Sequence, residues 1–187
     1  MRIVAGMYRG RPLVAPKGQS TRPTADRARQ ALFNVLEHAP WSPGLDGART
    51  IDLFAGSGAL GLEAISRGAA SCLFIERDPA ALAAIGANIE TLGLGDRTRT
   101  LRRDAAELPA RTEGAPFDLA FLDPPYGQGL AERALARLAA GGWLAPAAIV
   151  VVERGADEAD IAPERFEALD LRTWGAAKVS FLRLGPG

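Results

Sequence analysis

Hydrophobic positions along this chain alternate between two periods. "RTIDLF" (49–54), "SCLFIE" (71–76), "TRTLRRD" (98–104), "FDLAFLD" (117–123) and "AAIVVVE" (147–153) are short runs of apolar and β-branched residues bounded by turn residues, which read as strands. Between them "ALGLEAISRG" (59–68), "PAALAAIGANIETLG" (79–93) and "LAERALARLAAGG" (130–142) place apolar residues at helical spacing. Pro79 opens one of these helices, and Gly68 and Gly93 close two of them. Upstream, "STRPTADRARQALFNVLEHA" (20–39) reads as a helix capped by Thr24, with Asp26 in its first turn and Ala28, Leu32, Val35 and Leu36 on one face. Residues 1–16 suit a small hairpin, and "RFEALDLRTWGAAKVSFLRL" (165–184) suits two strands turning at Gly175. Strands alternating with helices predict an α/β protein: a Rossmann-like, doubly wound, mostly parallel sheet with an antiparallel C-terminal edge. One domain is expected over 1–187, with a basic hairpin and helix (1–45) on a core (46–187).

Composition narrows the chemistry. Hydrophobic residues make up 48% of the 187, enough for a full core. Cys72 and His38 are the only residues of their kinds, which excludes a disulfide framework and Cys/His metal centres, so no metal is expected. Cys72 reads as a small core hydrophobe, His38 as a helix terminus, and Trp41 and Trp143 as packing. The start lacks an apolar leader, and "LAPAAIVVV" is too short to span a bilayer, so a soluble protein is expected; the single cysteine fits a reduced cytoplasm, and a monomer is expected. Charge is unevenly spread. Residues 1–30 carry seven basic residues against Asp26 alone, while the rest carries 15 basic and 21 acidic. A basic arm on an acidic body points to a polyanionic partner at that end.

"DLFAGSGALG" sets Gly56, Gly58 and Gly61 at G-x-G-x-x-G spacing after a strand and into a helix, the context of a nucleotide loop. Asp52 stands just ahead of it, where a carboxylate repels a pyrophosphate and favours a cationic ligand. S-adenosylmethionine, a sulfonium with an amino group and no phosphate, fits better than a dinucleotide. Glu76 ends the next strand, placed to accept from ribose hydroxyls, and Asp104 the third, placed to accept from an adenine amine.

"DPPY" (123–126) ends the fourth strand. Methylating an exocyclic amine is hard because its lone pair is delocalised into the ring. A carboxylate (Asp123) and a carbonyl held rigid by prolines (Pro124) can accept its two hydrogens and hold the nitrogen in line. Tyr126 can stack on an extruded base, a contact worth about 1–3 kcal/mol. Glu153 is left open between a site residue and a simple strand exit.

"TRPTADRARQALFNVL", "DLFAGSGALGLEAISRGA" and "FLDPPYG" together resemble the bacterial small-subunit (16S) ribosomal RNA guanine-N2 methyltransferases of the RsmD type, which are class I S-adenosylmethionine-dependent enzymes. The likeness runs from about Gly10 to Leu182. It implies a cofactor site of Asp52, Phe54, Ala55, Gly56, Ser57, Gly58, Glu76, Asp104 and Ala105, with Asp123, Pro124 and Tyr126 handling a guanine. It also places Arg22, Pro23 and Thr24 beside the site. Arg9, Arg11, Arg22, Thr24 and Arg27 are the expected RNA contacts, and the expected partner is ribosomal RNA, free or within a small-subunit particle or assembly intermediate. One departure is Trp174 before Gly175, where the family more often has Tyr. The alternatives are a DNA adenine-N6 methyltransferase, which shares the DPPY tetrapeptide, and a non-catalytic RNA-binding module on the same fold.

Overall fold

The structure, a computed structural model, describes residues 1–16, 23–161 and 163–186. Helix α1 (Pro23–His38) precedes β1 (Arg49–Leu53), α2 (Ala59–Ser66), β2 (Ser71–Glu76), α3 (Pro79–Leu92), β3 (Thr98–Arg102), β4 (Phe117–Leu122), α4 (Leu130–Ala140), β5 (Leu144–Gly155), β6 (Phe166–Trp174) and β7 (Ala177–Leu184). One-turn 3-10 segments lie at Gly95–Arg97 and Ala105–Glu107. The strands form one sheet in the order β3-β2-β1-β4-β5-β7-β6; β7 pairs antiparallel with β5 and β6, and the other pairs are parallel. The doubly wound sheet with an antiparallel edge is therefore as the alternation predicts. The order reverses between β1 and β4, so a crevice opens there above the carboxyl ends of the strands.

Side-chain alternation sends each strand's residues to opposite faces. Leu119 and Phe121 of β4 join Ile149, Val151, Phe33 and Leu36 under α1 and α2, and Cys72 and Phe74 of β2 pack with Ile85 of α3. Ala120 and Leu122 face the other way, into a cluster with Ile51, Leu53, Val150 and the α4 residues Ala134, Leu135 and Leu138. Among the described residues, α4 and the segment Ala105–Glu107 are the only helical elements in that second cluster.

Three local readings change. Helix α1 begins at Pro23, so Thr24 falls inside the first turn rather than capping it; proline suits the first helical position, where its missing N–H costs nothing. Its buried face centres on Arg29, Leu32, Phe33 and Leu36, with Val35 at the margin. Strand β5 starts at Leu144, three residues earlier than its apolar run. Pro146 and left-handed Ala147 (φ 59°) interrupt it, and the register to β4 shifts at that end.

The N-terminal hairpin is minimal, a single bridge between Arg2 and Pro12 with Ile3 and Leu13 buried beneath it. It is pinned by polar groups of the core. The fully buried Glu63 of α2 accepts from the N–H groups of Val4 and Ala5 and from Arg67 Nε, at 2.8–2.9 Å. Asn88 of α3 both donates to and accepts from Val14, and donates to Ser57 O. The hairpin thus registers on the glycine loop. No helix among the described residues is long and apolar enough to cross a membrane.

Candidate active site

The turn after β1 is built around one strained residue. Phe54 has φ 61°, rare for a bulky side chain and costing about 1–3 kcal/mol, and it swings the chain sharply off the strand. Gly58 (φ 78°) then caps α2 in the left-handed region that favours glycine. Gly61 lets the helix approach the sheet: a Cβ there would lie 2.4 Å from Cys72 Sγ and 2.5 Å from Phe74 Cε1. Two acids hold the turn. Asp52, buried, accepts from the Gly61 N–H at 3.0 Å. Glu76 accepts from the N–H groups of Gly56, Arg77 and Asp78 at 2.7–2.9 Å. Asp78 caps α3, and Asp104 caps its 3-10 turn through Ala106 N–H while reaching Arg77 Nη1 at 3.2 Å.

Two cavities flank this turn. The larger, about 530 Å³, is walled by Ile75, Ala105, Pro124 and Leu130 and rimmed by Glu76, Arg77, Asp78, Arg103, Asp104, Asp123 and Tyr126. The smaller, about 260 Å³, is lined by Asp52, Ala55, Ser57, Glu153 and Trp174 among others. Phe54, Gly56 and Asp123 line both, so the cavities meet at the end of the DPPY strand.

The predicted cofactor residues therefore divide. Phe54, Gly56, Glu76, Asp104 and Ala105 border the larger cavity; Asp52, Ala55 and Ser57 border the smaller, with Phe54 and Gly56 common to both. Gly58 lines neither and packs against Phe74 and Ile85, so it shapes the turn. Arg77, Asp78 and Arg103 also line the larger cavity and are not among the predicted site residues; Arg77 and Asp78 follow a predicted strand end, whereas Arg103 leaves the strand because β3 stops at Arg102, two residues before its predicted end.

Glu153 lines the smaller cavity. β5 pairs with β4 in the register Leu122–Val152, which sets Glu153 beside Asp123, and Tyr126 Oη donates to Glu153 Oε1 at 3.2 Å. Desolvation, Glu153 and Asp52 push the Asp123 carboxyl well above its ordinary value, even though the residue is exposed into the cavities. Glu153 is also raised, by burial, against the stabilising hydrogen bond from Tyr126. Both carboxyls of the pair are thus held above the ordinary carboxylate range, and a negative charge on Glu153 works against ionising Asp123. Burial raises Asp52 to about 8, opposed by the Gly61 N–H and assisted by Glu76.

The basic arm is partly consumed by structure. Arg29 is buried, donating to Arg2 O and Asp26 Oδ1, and Arg2 lies 3.5 Å from Asp26. Arg9 and Arg27 are exposed, with no carboxylate in ion-pair range among the described residues. Arg11 donates to Thr91 O in the last turn of α3, a helix length of about 20 Å from the capping Asp78 that rims the larger cavity. Arg22 lies outside the described residues, as does the side chain of Thr24.

The strand order, the acid-rich crevice and the DPPY exit define a class I methyltransferase. Residues 1–183 match the model of the family described as Conserved hypothetical protein 95, and the chain belongs to that family. It is 42% identical over 153 residues to Ribosomal RNA small subunit methyltransferase D of Escherichia coli K12, covering 82% of this chain and 74% of that protein. The Haemophilus influenzae protein of the same name is 36% identical over 177 residues, covering 94% and 89%. The solved structure of Escherichia coli yhhF superposes with a TM-score of 0.85 at 34% identity, over 99% of this chain and 98% of that one.

S-adenosylmethionine is the cofactor of this class, and the lining suits it. Seven acids (Asp26, Asp52, Glu76, Asp78, Asp104, Asp123 and Glu153) face three arginines (Arg29, Arg77 and Arg103) in the two cavities; Asp26–Arg29 and Asp104–Arg77 offset one another, which leaves Glu76, Asp78 and the raised carboxyls of Asp52, Asp123 and Glu153 against Arg103. Such a lining repels phosphate and favours a cationic, phosphate-free nucleoside.

Proposed function

We propose that this protein methylates the exocyclic N2 amine of a guanine in small-subunit ribosomal RNA. The observation that carries the reading is the meeting of the two cavities at Asp123, where a methyl donor reaching into both and a base held at the Tyr126 mouth share one wall. The substrate class rests on the relatives, which are named for small-subunit ribosomal RNA.

Glu76 and Asp104 offer acceptors for the cofactor's ribose and adenine, between the apolar walls of Ile75 and Ala105. Asp52, Gly56 and Ser57 border the cavity for its charged amino-acid end. When bound, S-adenosylmethionine supplies an electrophilic methyl group on a sulfonium. Asp123 and the Pro124 carbonyl accept the two amine hydrogens, orienting the nitrogen lone pair. Tyr126, 48% exposed at the cavity mouth, stacks on the extruded base. The ionised member of the Asp123–Glu153 pair takes the proton that the amine loses. Arg9, Arg22 and Arg27 contact phosphates of the RNA, with Thr24 and Arg11 on the same arm, and the enzyme acts as a cytoplasmic monomer on a small-subunit particle or assembly intermediate.

The test is methyl incorporation from labelled cofactor into small-subunit ribosomal RNA, small-subunit particles and duplex DNA, followed by nucleoside analysis. N2-methylguanosine in the RNA is expected. Label in DNA adenine instead would replace this reading with the DNA methyltransferase.

A further inference from the structure

The sheet face that carries α4 is bare at its β2–β3 end. The chain returns from β3 to β4 through Ala105–Glu107, a single 3-10 turn in place of a full crossover helix. A groove lies along this stretch, lined by Arg49, Arg97, Arg99, Arg103 and Arg111, with Asp96 and Glu113 as its only acids among the described residues. Arg99 lies on β3, Arg97 and Arg103 flank it, and all three line the groove, with the Arg97 guanidinium anchored by donation to the Ala69 and Ala70 carbonyls. β1 pairs Arg49 with Ser71 of β2, which brings Arg49 to the lower end of the same groove. None of the five lies within ion-pair distance of a carboxylate among the described residues, whereas most other arginines of the core do.

Two of these cations converge. Arg49 and Arg111 sit 5.5 and 5.2 Å from the centroid of the Phe117 ring, and Arg111 also lies 5.9 Å from the Trp143 ring. Phe117 and Trp143 are stacked and buried, so they form a shelf beneath the guanidinium groups rather than a platform for bases. Gly114 lets the loop close on Arg111: a Cβ there would lie 2.7 Å from Nη2. Desolvation, and then repulsion from Arg49, pull Arg111 below the ordinary guanidinium value. Like charges held together in an otherwise acidic core call for an anion between them.

Arg103 lines both this groove and the larger active-site cavity. Across β3 the extended chain covers about 16 Å, the span of about five stacked nucleotides. We propose that this groove is a docking track for the phosphate backbone of the substrate RNA, running from the mouth of the catalytic cavity to a phosphate clamp of Arg49 and Arg111. The track is separate from the N-terminal basic arm and holds the strand that flanks the target nucleotide. The identity of the partner rests on the ribosomal RNA reading above.

The experiment compares wild type with Arg99→Glu, an exposed position that leaves packing intact, and with Arg99→Glu/Arg111→Glu. Binding of small-subunit ribosomal RNA is followed by anisotropy across a salt series, together with KM and kcat for methyl transfer and calorimetric cofactor affinity. The expected result is a rise of tenfold or more in Kd and KM for RNA in the double variant. Its salt dependence should be shallower by about 0.7 per lost phosphate contact, with kcat at saturating RNA and cofactor affinity unchanged. Unchanged KM and salt slope in both variants would overturn the track while leaving the methyltransferase reading intact. Charge-dependent RNA binding in the groove with no methyl transfer to ribosomal RNA would support the track and remove that reading. Ultraviolet crosslinks confined to the N-terminal hairpin would show that the groove serves another partner, and the proposal falls.

Discussion

The Tyr126 hydroxyl donates a hydrogen bond to Glu153 Oε1 at 3.2 Å, tying the DPPY loop to the end of the neighbouring strand. The bond favours ionised Glu153, so removing it lifts that carboxyl further. Tyr126→Phe keeps the stacking ring and loses only the bond. We expect kcat/KM to fall about 2- to 10-fold, the worth of one hydrogen bond. The acid limb of the pH–rate profile should move to higher pH, because a more basic pair needs higher pH to present its ionised member. A limb that stays in place would show that Glu153 takes no part in the titration.

Asp123→Ala separates chemistry from binding. Asp123 borders both cavities and leaves β4, whereas Glu76 ends β2 and Asp104 follows β3, on the other side of β1. Methyl transfer should drop by about 100-fold or more, the usual loss when a group that stabilises the transition state is removed. Calorimetric cofactor affinity should change little. Normal turnover in this variant would sink the proposed role of the DPPY strand exit.

Gly61 and Gly86 make a controlled pair for the fold. A methyl group at Gly61 would collide with Cys72 Sγ and Phe74 Cε1, and neither the buried β2 side chains nor α2 has room to give. Gly61→Ala should destabilise by about 1–3 kcal/mol through overpacking. At Gly86, inside α3, nothing lies within 4 Å of the added atom. Gly86→Ala should stabilise by about 0.5–1 kcal/mol through helix propensity. Denaturant unfolding of both variants reads the two signs directly.

What was legible in the sequence follows from how local its cause is. Strands β2 and β4 and the cap at Gly93 rest on short-range periodicity and backbone preference, and they fall at or within a residue of the expected positions. The acids at strand ends were legible because a parallel sheet brings its carboxyl ends together. Glu153 ends its apolar run in the same way, but β5 continues to Gly155, and what Glu153 faces depends on the β4–β5 neighbour relation, which no local pattern encodes. The basic arm misled in part for the same reason. Counting charge cannot foresee that Arg29 is buried against Asp26, or that Arg11 spends itself on a helix carbonyl. The groove on β3 was invisible for the converse reason, since its arginines are scattered from Arg49 to Arg111 and only the sheet gathers them.

Asp52 makes cofactor binding a proton-linked event. Its carboxyl is raised from 3.8 to about 8 by burial, so in the free protein at neutral pH it is largely protonated. The unfolded chain ionises it near the ordinary value. Between those two values the folded state binds the extra proton, and the free protein therefore loses stability as pH rises from about 4 to about 8. A cationic ligand reverses the balance by favouring the carboxylate, so binding expels the proton. Cofactor affinity should then rise between about pH 6 and pH 8 and level off above. Calorimetry at pH 7 in buffers of different ionisation enthalpy should show proton release on binding. Asp52→Asn keeps an acceptor for the Gly61 N–H and removes the charge; it should abolish the proton release and weaken binding most at the alkaline end. An affinity that is flat with pH in the wild type would mean that the charge of the bound cofactor does not reach Asp52, and that the acid serves only to hold the turn.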